Sequence, residues 1–95
     1  MSLSPAEYTK LKGFRDLIHQ TMERLTEATS QGALSQAAGD LAPRWKEVDA
    51  EFSTLLTDVG ASVWKMPFPQ VRPTVQAIIG HLGQQRAEID EQLAG

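Results

Sequence analysis

Apolar residues recur along the middle of this chain at alternating spacings of four and three. The pattern runs through Leu41, Trp45, Val48, Phe52, Leu55, Val59, Val63 and Met66. Side chains with this spacing share one face of an α-helix, which has about 3.6 residues per turn. The pattern therefore predicts one helix over residues 41–66 that buries a single face.

A second stripe of apolar residues occupies the first third of the chain. It follows Ser4, with Pro5 next and Glu7 three residues after the serine. Serine before a helix, proline at its first position and glutamate at its third are typical of a helix N-terminus. The stripe predicts a helix over residues 5–30, ended by Gly32 as a left-handed C-cap.

A third stripe predicts a helix over residues 71–94. Two prolines, Pro67 and Pro69, separate it from the second helix, because a residue before proline avoids the α conformation. Small residues favour a short helical turn at 33–38, before Asp40 as the N-cap of the second helix. The expected fold is all-α, an up-and-down bundle of three main helices.

Composition sets limits on the class of protein. A chain of 95 residues is expected to form a single domain, residues 1–95, and its net charge of −3 disfavours a nucleic-acid partner. The absence of cysteine removes disulfides and thiolate metal sites. No apolar run approaches the roughly 20 residues that cross a bilayer, and residues 1–5 lack the features of a secretory signal, so we expect a cytoplasmic protein with no membrane partner.

The titratable residues do not form a recognisable catalytic or metal-binding pattern. Asp16 and His19 are the nearest approach to the Glu-x-x-His pair of di-iron bundles, and Glu47 with Glu51 is typical of a solvated helix face. We therefore predict no catalytic, cofactor or metal site. The chain is not expected to be an enzyme.

The segment Gly80-His81-Leu82-Gly83 resembles the Gly-x-x-Gly loop of KH domains, which clamps a nucleic-acid backbone. That resemblance implies a sheet beside the loop, and no segment here alternates between apolar and polar residues with a period of two. We instead expect Gly80 and Gly83 to lie on the outer side of the third helix.

Trp64 falls off the apolar stripe of the second helix, beside a turn that contains Met66 and Phe68. A large aromatic residue away from the core is typical of an interface anchor. We therefore take Trp64, Met66 and Phe68 as candidate partner-binding residues. The alternative is that Trp64 closes the end of the bundle, over Phe68 or over the segment 33–40.

Two charged residues interrupt the apolar stripes. If the second and third helices form an antiparallel hairpin, Asp49 lies opposite Arg86. An Asp49–Arg86 ion pair would then fix the register of the hairpin. The alternative is that both side chains reach solvent.

These features favour a non-enzymatic helical interaction module of oligomerising or adaptor type. Three broad apolar faces exceed what one small core needs, so we expect a homo-oligomer, most simply a dimer, or a helical protein partner. The alternative is a ligand-sensing or regulatory helical domain excised from a larger signalling protein. A polar cavity lined by residues such as Arg15, Asp49 and Arg86 would favour sensing.

Overall fold

Ser4 begins the first helix as its sequence context predicts. In the computed structural model, which describes residues 3–94, the Ser4 hydroxyl accepts a hydrogen bond of 3.2 Å from the Glu7 backbone N–H. The same hydroxyl donates to the Glu7 carboxylate at 3.1 Å, and Pro5 occupies the first turn. The predicted start of this helix is confirmed.

Four helices make up the described chain: α1 is Pro5–Glu27, α2 is Gln31–Trp45, α3 is Ala50–Ser62 and α4 is Phe68–Ala94. No strand occurs within residues 3–94. The all-helical prediction is confirmed, but there are four helices rather than three. The helix predicted over residues 41–66 is divided between α2 and α3, and the turn predicted at 33–38 is the first half of α2.

The early start of α2 has a local cause in Ser30. Its side chain accepts a hydrogen bond of 3.2 Å from the Ala33 backbone N–H and caps α2. Gly32, predicted to end the first helix in the left-handed region, lies in the first turn of α2, and no described glycine has a positive φ. Asp40, predicted as an N-cap, lies inside α2 and pairs with Arg24 of α1 at 3.0 Å.

The break between α2 and α3 depends on Asp49. Its backbone N–H donates to the Trp45 carbonyl at 2.7 Å, and its carboxylate accepts from the Phe52 N–H at 3.1 Å, which caps α3. Carbonyls in the last turn of a helix lack a donor four residues on. The hydroxyl of Ser53 donates to one of them, the Ala42 carbonyl, at 2.7 Å. Side chains therefore satisfy both ends of the turn.

The helices pack as two antiparallel pairs, α2 with α3 and α1 with α4. Three neighbouring positions set the register of the second pair: Arg15 with Asp90, His19 with Arg86, and Met22 with Gly83. Helices α3 and α4 share few contacts. The hairpin between residues 41–66 and 71–94, on which the Asp49–Arg86 pair was conditional, is not the main packing of α4, which lies along α1.

Trp45 lies in the middle of the core and is 1% exposed. Its ring packs edge-on against Phe14, with centroids 5.6 Å apart, and tilted against Phe52 at 4.4 Å. Its indole N–H donates to the Thr21 hydroxyl at 2.8 Å, and that hydroxyl donates to the Leu17 carbonyl at 2.7 Å. This polar pair is fully satisfied inside an apolar core.

Three positions of the predicted stripe are not buried. Val48 is 50% exposed, and Leu55 and Met66 are each 40% exposed, whereas Leu56 is completely buried. Within α3 the buried residues Phe52, Leu56 and Val59 follow each other at spacings of four and three, so Leu56 rather than Leu55 faces the core. Val48 lies in the turn between α2 and α3, outside both helices.

The unbroken course of α4 excludes a KH-type loop at residues 80–83. Gly80 is exposed, as expected. Gly83 is half-buried, and a Cβ atom at this position would lie 3.4 Å from the Cε atom of Met22. Gly83 therefore faces α1, and the expectation that it lies on the outer side is wrong.

The first turns of α1 project beyond the rest of the bundle. The register with α4 places Ala94 level with Leu11, and the α2–α3 turn lies beside Phe14 and Leu17. The described chain is accordingly elongated and measures 48 × 21 × 18 Å.

Candidate functional site

Trp64 follows Val63, the C-cap of α3, and is 66% exposed. Its backbone N–H donates to the Ala61 carbonyl at 3.4 Å, and its indole N–H donates to the Ser35 hydroxyl of α2 at 3.2 Å. The hydrogen bond holds the ring beside α2, within the segment 33–40 that the sequence suggested as one alternative. Most of the ring surface nevertheless stays in contact with solvent.

Met66 lies in the turn between α3 and α4, and Phe68 is the first residue of α4. The carbonyl of Met66 accepts a hydrogen bond of 3.3 Å from the Gln31 side chain, which also donates to the Val63 carbonyl at 2.6 Å. Phe68 is half-buried and lines a small cavity of about 150 Å³. Trp64 does not line that cavity. Trp64 and Phe68 therefore line different depressions, and Met66 lines neither of them.

The depression beside Trp64 is an open groove along the outer face of the α2–α3 pair, which we call the α2–α3 groove. Its volume is about 840 Å³. The lining consists mostly of small side chains: Ser35, Gly39, Ala42, Pro43, Lys46, Ala50, Ser53, Thr54, Leu56, Thr57, Gly60, Ala61 and Trp64. Lys46 is the one charged residue among them. The groove is therefore shallow and carries no carboxylate.

Close packing of α2 against α3 explains why the groove is open. A Cβ atom at Gly60 would lie only 3.2 Å from the Cβ of Ala38. The two helix backbones approach closely because glycine and alanine meet there, and no long side chain rises between them. A third helix could reach both backbones along this face.

A second depression, which we call the α1–α4 cleft, is polar. Its volume is about 400 Å³, and it is lined by Arg15, Asp16, His19, Arg86 and Asp90. The Nε atom of Arg15 lies 2.5 Å from Oδ1 of Asp90. The lining thus combines two guanidinium groups with two carboxylates.

His19 has a defined arrangement at the edge of this cleft. Its Nδ1 atom lies 3.3 Å from Nη1 of Arg86, and its Nε2 atom lies 3.8 Å from the Glu23 carboxylate. Arginine can only donate a hydrogen bond, so Nδ1 of His19 acts as the acceptor. This contact assigns the ring proton of the neutral imidazole to Nε2, on the side of Glu23.

Asp49 and Arg86 have separate partners. Asp49 caps α3 through the Phe52 N–H, whereas Arg86 contacts His19. The ion pairs between arginine and carboxylate side chains within residues 3–94 are Arg15–Asp90 and Arg24–Asp40. Asp49 and Arg86 are therefore not ion-paired in the described chain. Of the three residues expected to line a polar cavity, Arg15 and Arg86 line the α1–α4 cleft and Asp49 does not.

Within residues 3–94, no three His, Asp or Glu side chains are placed to hold a metal ion. No helix in the same range is long and apolar enough to cross a membrane. No protein-family model, curated protein or solved structure matches the chain.

The sequence interpretation missed the groove because it followed large apolar residues. The relevant signal is a second stripe of small residues on α3, at Ala50, Ser53, Thr57 and Gly60, which leads to Trp64 at alternating spacings of three and four. That stripe lies on a different helix face from the buried Phe52, Leu56 and Val59.

Proposed function

We propose that this chain is a non-enzymatic interaction module of oligomerising or adaptor type, which binds an amphipathic helix of another protein in the α2–α3 groove. The observation that carries this proposal is the position of Trp64, exposed at the rim of an open groove and tethered to Ser35. We propose that the module acts in the cytoplasm.

The tether favours binding through Trp64. A hydrogen bond of 3.2 Å to Ser35 restricts the indole before any partner arrives. Binding then immobilises fewer side-chain rotamers, which lowers the entropic cost of association. Tryptophan is also among the residues that most often dominate the energy of interfaces.

The lining of the groove defines the partner's chemistry. Small side chains allow the partner's backbone to come close, which suits a helix with a narrow apolar stripe. Lys46 lies at the end of the groove away from Trp64, and no carboxylate lines the groove. The partner is therefore an amphipathic helix with an apolar residue for Trp64 and an acidic residue for Lys46.

A library of amphipathic helical peptides displayed on phage provides a direct test. Peptides selected on the wild-type domain would be labelled, and their dissociation constants measured by fluorescence anisotropy. We expect Trp64→Ala to weaken binding at least tenfold, and Thr57→Arg to do the same by filling the groove. Thr74→Arg, an equal change at an exposed position of α4 outside the groove, serves as the control.

Two results would reject the proposal. One is a library that yields no enriched peptide. The other is a set of peptides whose affinity is unaffected by both Trp64→Ala and Thr57→Arg.

The α1–α4 cleft favours a second candidate function, the sensing of a small zwitterionic ligand. The side chain of Arg86 has spare donors for a carboxylate, because its described contact is with His19, and Asp16 offers an acceptor for an ammonium group. A free amino acid has both groups.

Ligands that bind only the folded state raise the melting temperature. A panel of amino acids would be screened on the wild type and on Arg86→Gln, with Arg44→Gln as the matched surface control; no shift with any amino acid rejects sensing.

A further inference from the structure

The end of the bundle opposite Trp64 carries an apolar depression, which we call the end notch. Its volume is about 660 Å³, and its lining includes Leu3, Glu7, Lys10, Phe14, Leu17 and Val48. The notch lies where the projecting first turns of α1 pass the α2–α3 turn and the end of α4. It therefore includes residues of the exposed first turns of α1.

One stripe of residues runs from the tip of α1 to the floor of the notch. Glu7, Lys10, Phe14 and Leu17 follow each other at spacings of three and four, which places them on one side of α1. Leu3 lies just before the N-cap Ser4 and lines the same notch. Apolar residues stand at the two ends of this stripe and an opposite-charge pair stands at its centre. Lys10 has no ion pair within the described residues.

Two copies of this stripe are complementary when they run antiparallel, because apolar residues then face apolar residues and Glu7 faces Lys10. We propose that the end notch binds a second copy of this chain, with the two α1 helices antiparallel around a two-fold axis between residues 8 and 9. Leu3 of one copy then packs on Phe14 of the second copy, and Glu7 of one copy meets Lys10 of the second copy. The two-fold axis repeats each contact, as in an isologous dimer.

The floor of the notch supports the same arrangement. Val48 is half exposed beside Phe14, and Leu3 of the second copy would cover both. Glu47 lies at this floor, where the N-terminus of the second copy's α1 would arrive. Carboxylates are favourable beside a helix N-terminus, because the helix dipole is positive there. Charge complementarity therefore occurs at the centre of the contact and at both of its ends.

Sedimentation equilibrium on the full chain tests the proposal through charge reversal. The wild type is expected to pass from 10.4 kDa to twice that mass as its concentration rises from micromolar to hundreds of micromolar. Lys10→Glu places two glutamates opposite each other at both contacts and is expected to weaken the dimer at least tenfold. Glu7→Lys is expected to do the same with two lysines. A mixture of the two variants restores attraction at both contacts, so the mixed dimer is expected to form as strongly as the wild type.

Controls separate this arrangement from general effects. Lys12→Glu changes net charge equally but lies outside the notch, and it is expected to leave the dimer intact. Circular dichroism on each variant verifies that the helices remain folded. The proposal is overturned by a wild type that stays monomeric at every concentration, by a dimer that tolerates Lys10→Glu, or by a mixture that fails to associate.

Discussion

Trp45 and Thr21 are joined by a hydrogen bond of 2.8 Å that lies wholly inside the core of the bundle. The bond connects the last residue of α2 to the C-terminal third of α1, two helices that otherwise share a modest interface. The Thr21 hydroxyl in turn donates a hydrogen bond to the Leu17 carbonyl, so every side-chain polar atom of the pair has a partner. The position of α1 over the α2–α3 pair is therefore fixed by a directional bond as well as by apolar packing.

Replacing Thr21 with valine tests this bond with little change in shape. The indole N–H of Trp45 would remain buried without an acceptor, which costs about 1–3 kcal/mol of unfolding free energy. Thr54→Val is the matched control, because Thr54 also donates to the carbonyl four residues before it but is exposed. We expect the control to change stability by less than about 0.5 kcal/mol in urea titrations followed by circular dichroism. Equal effects of the two substitutions would show that the buried bond adds nothing.

Asp49→Ala removes the cap of α3. We expect a loss of about 0.5–2 kcal/mol, the usual range for an N-cap, measured by the same denaturation method. Asp58→Ala, an exposed acidic residue near the other end of α3, is the comparison and is expected to have little effect. Because Asp49 and Arg86 have separate partners, their alanine variants are expected to add within about 0.5 kcal/mol. A larger coupling energy would favour the ion pair that the sequence suggested.

Two glycine-to-alanine substitutions are expected to change the stability of the fold by different amounts or in opposite directions. Gly80→Ala meets open space and gains the helix propensity of alanine, about 1 kcal/mol. Gly60→Ala gains the same propensity but places its Cβ 3.2 Å from Ala38. Forcing apart a packed pair of helices costs roughly 1–3 kcal/mol, so Gly60→Ala is expected to be the less stable variant. Melting temperatures that rise equally in both would contradict the close approach of α2 and α3.

The two tryptophans provide an optical test of the candidate site. In Trp64→Phe the remaining Trp45 is buried, and we expect blue-shifted emission that acrylamide quenches weakly. In Trp45→Phe the remaining Trp64 is exposed, and we expect red-shifted emission that acrylamide quenches strongly. Similar quenching constants in the two variants would place Trp64 in the core and remove it as an anchor.

Local signals in the sequence predicted the start of α1 better than the break between α2 and α3. Ser4, Pro5 and Glu7 are specific to a helix start, and the structure uses them accordingly. The break at Asp49 was not predicted, because Trp45 and Phe52 are seven residues apart. That spacing puts them on the same face of a continuous helix. Aspartate before a helix and aspartate within one look alike in a single sequence, and only the hydrogen bond to the Phe52 N–H separates them.

The candidate site was predictable only in part. Trp64 was recognised because an aromatic residue off the apolar stripe is conspicuous. The groove beside it was not, since its surface depends on how closely α2 approaches α3 at Ala38 and Gly60, which is a tertiary property. Thr21 was missed for a related reason, because a polar residue enters the core only when a partner such as Trp45 is present to satisfy it.

The antiparallel pairing of α1 with α4 has a consequence for the order of folding. Helices α2 and α3 are neighbours in sequence, and only the turn at residues 46–49 must close for them to meet. Arg15 and Asp90 can meet only after the whole chain between them has been drawn into a loop, and the entropy of closure increases with loop length. Contacts between distant segments form late for this reason. The long helices at the two ends of the sequence are therefore expected to close around an inner hairpin that has already formed.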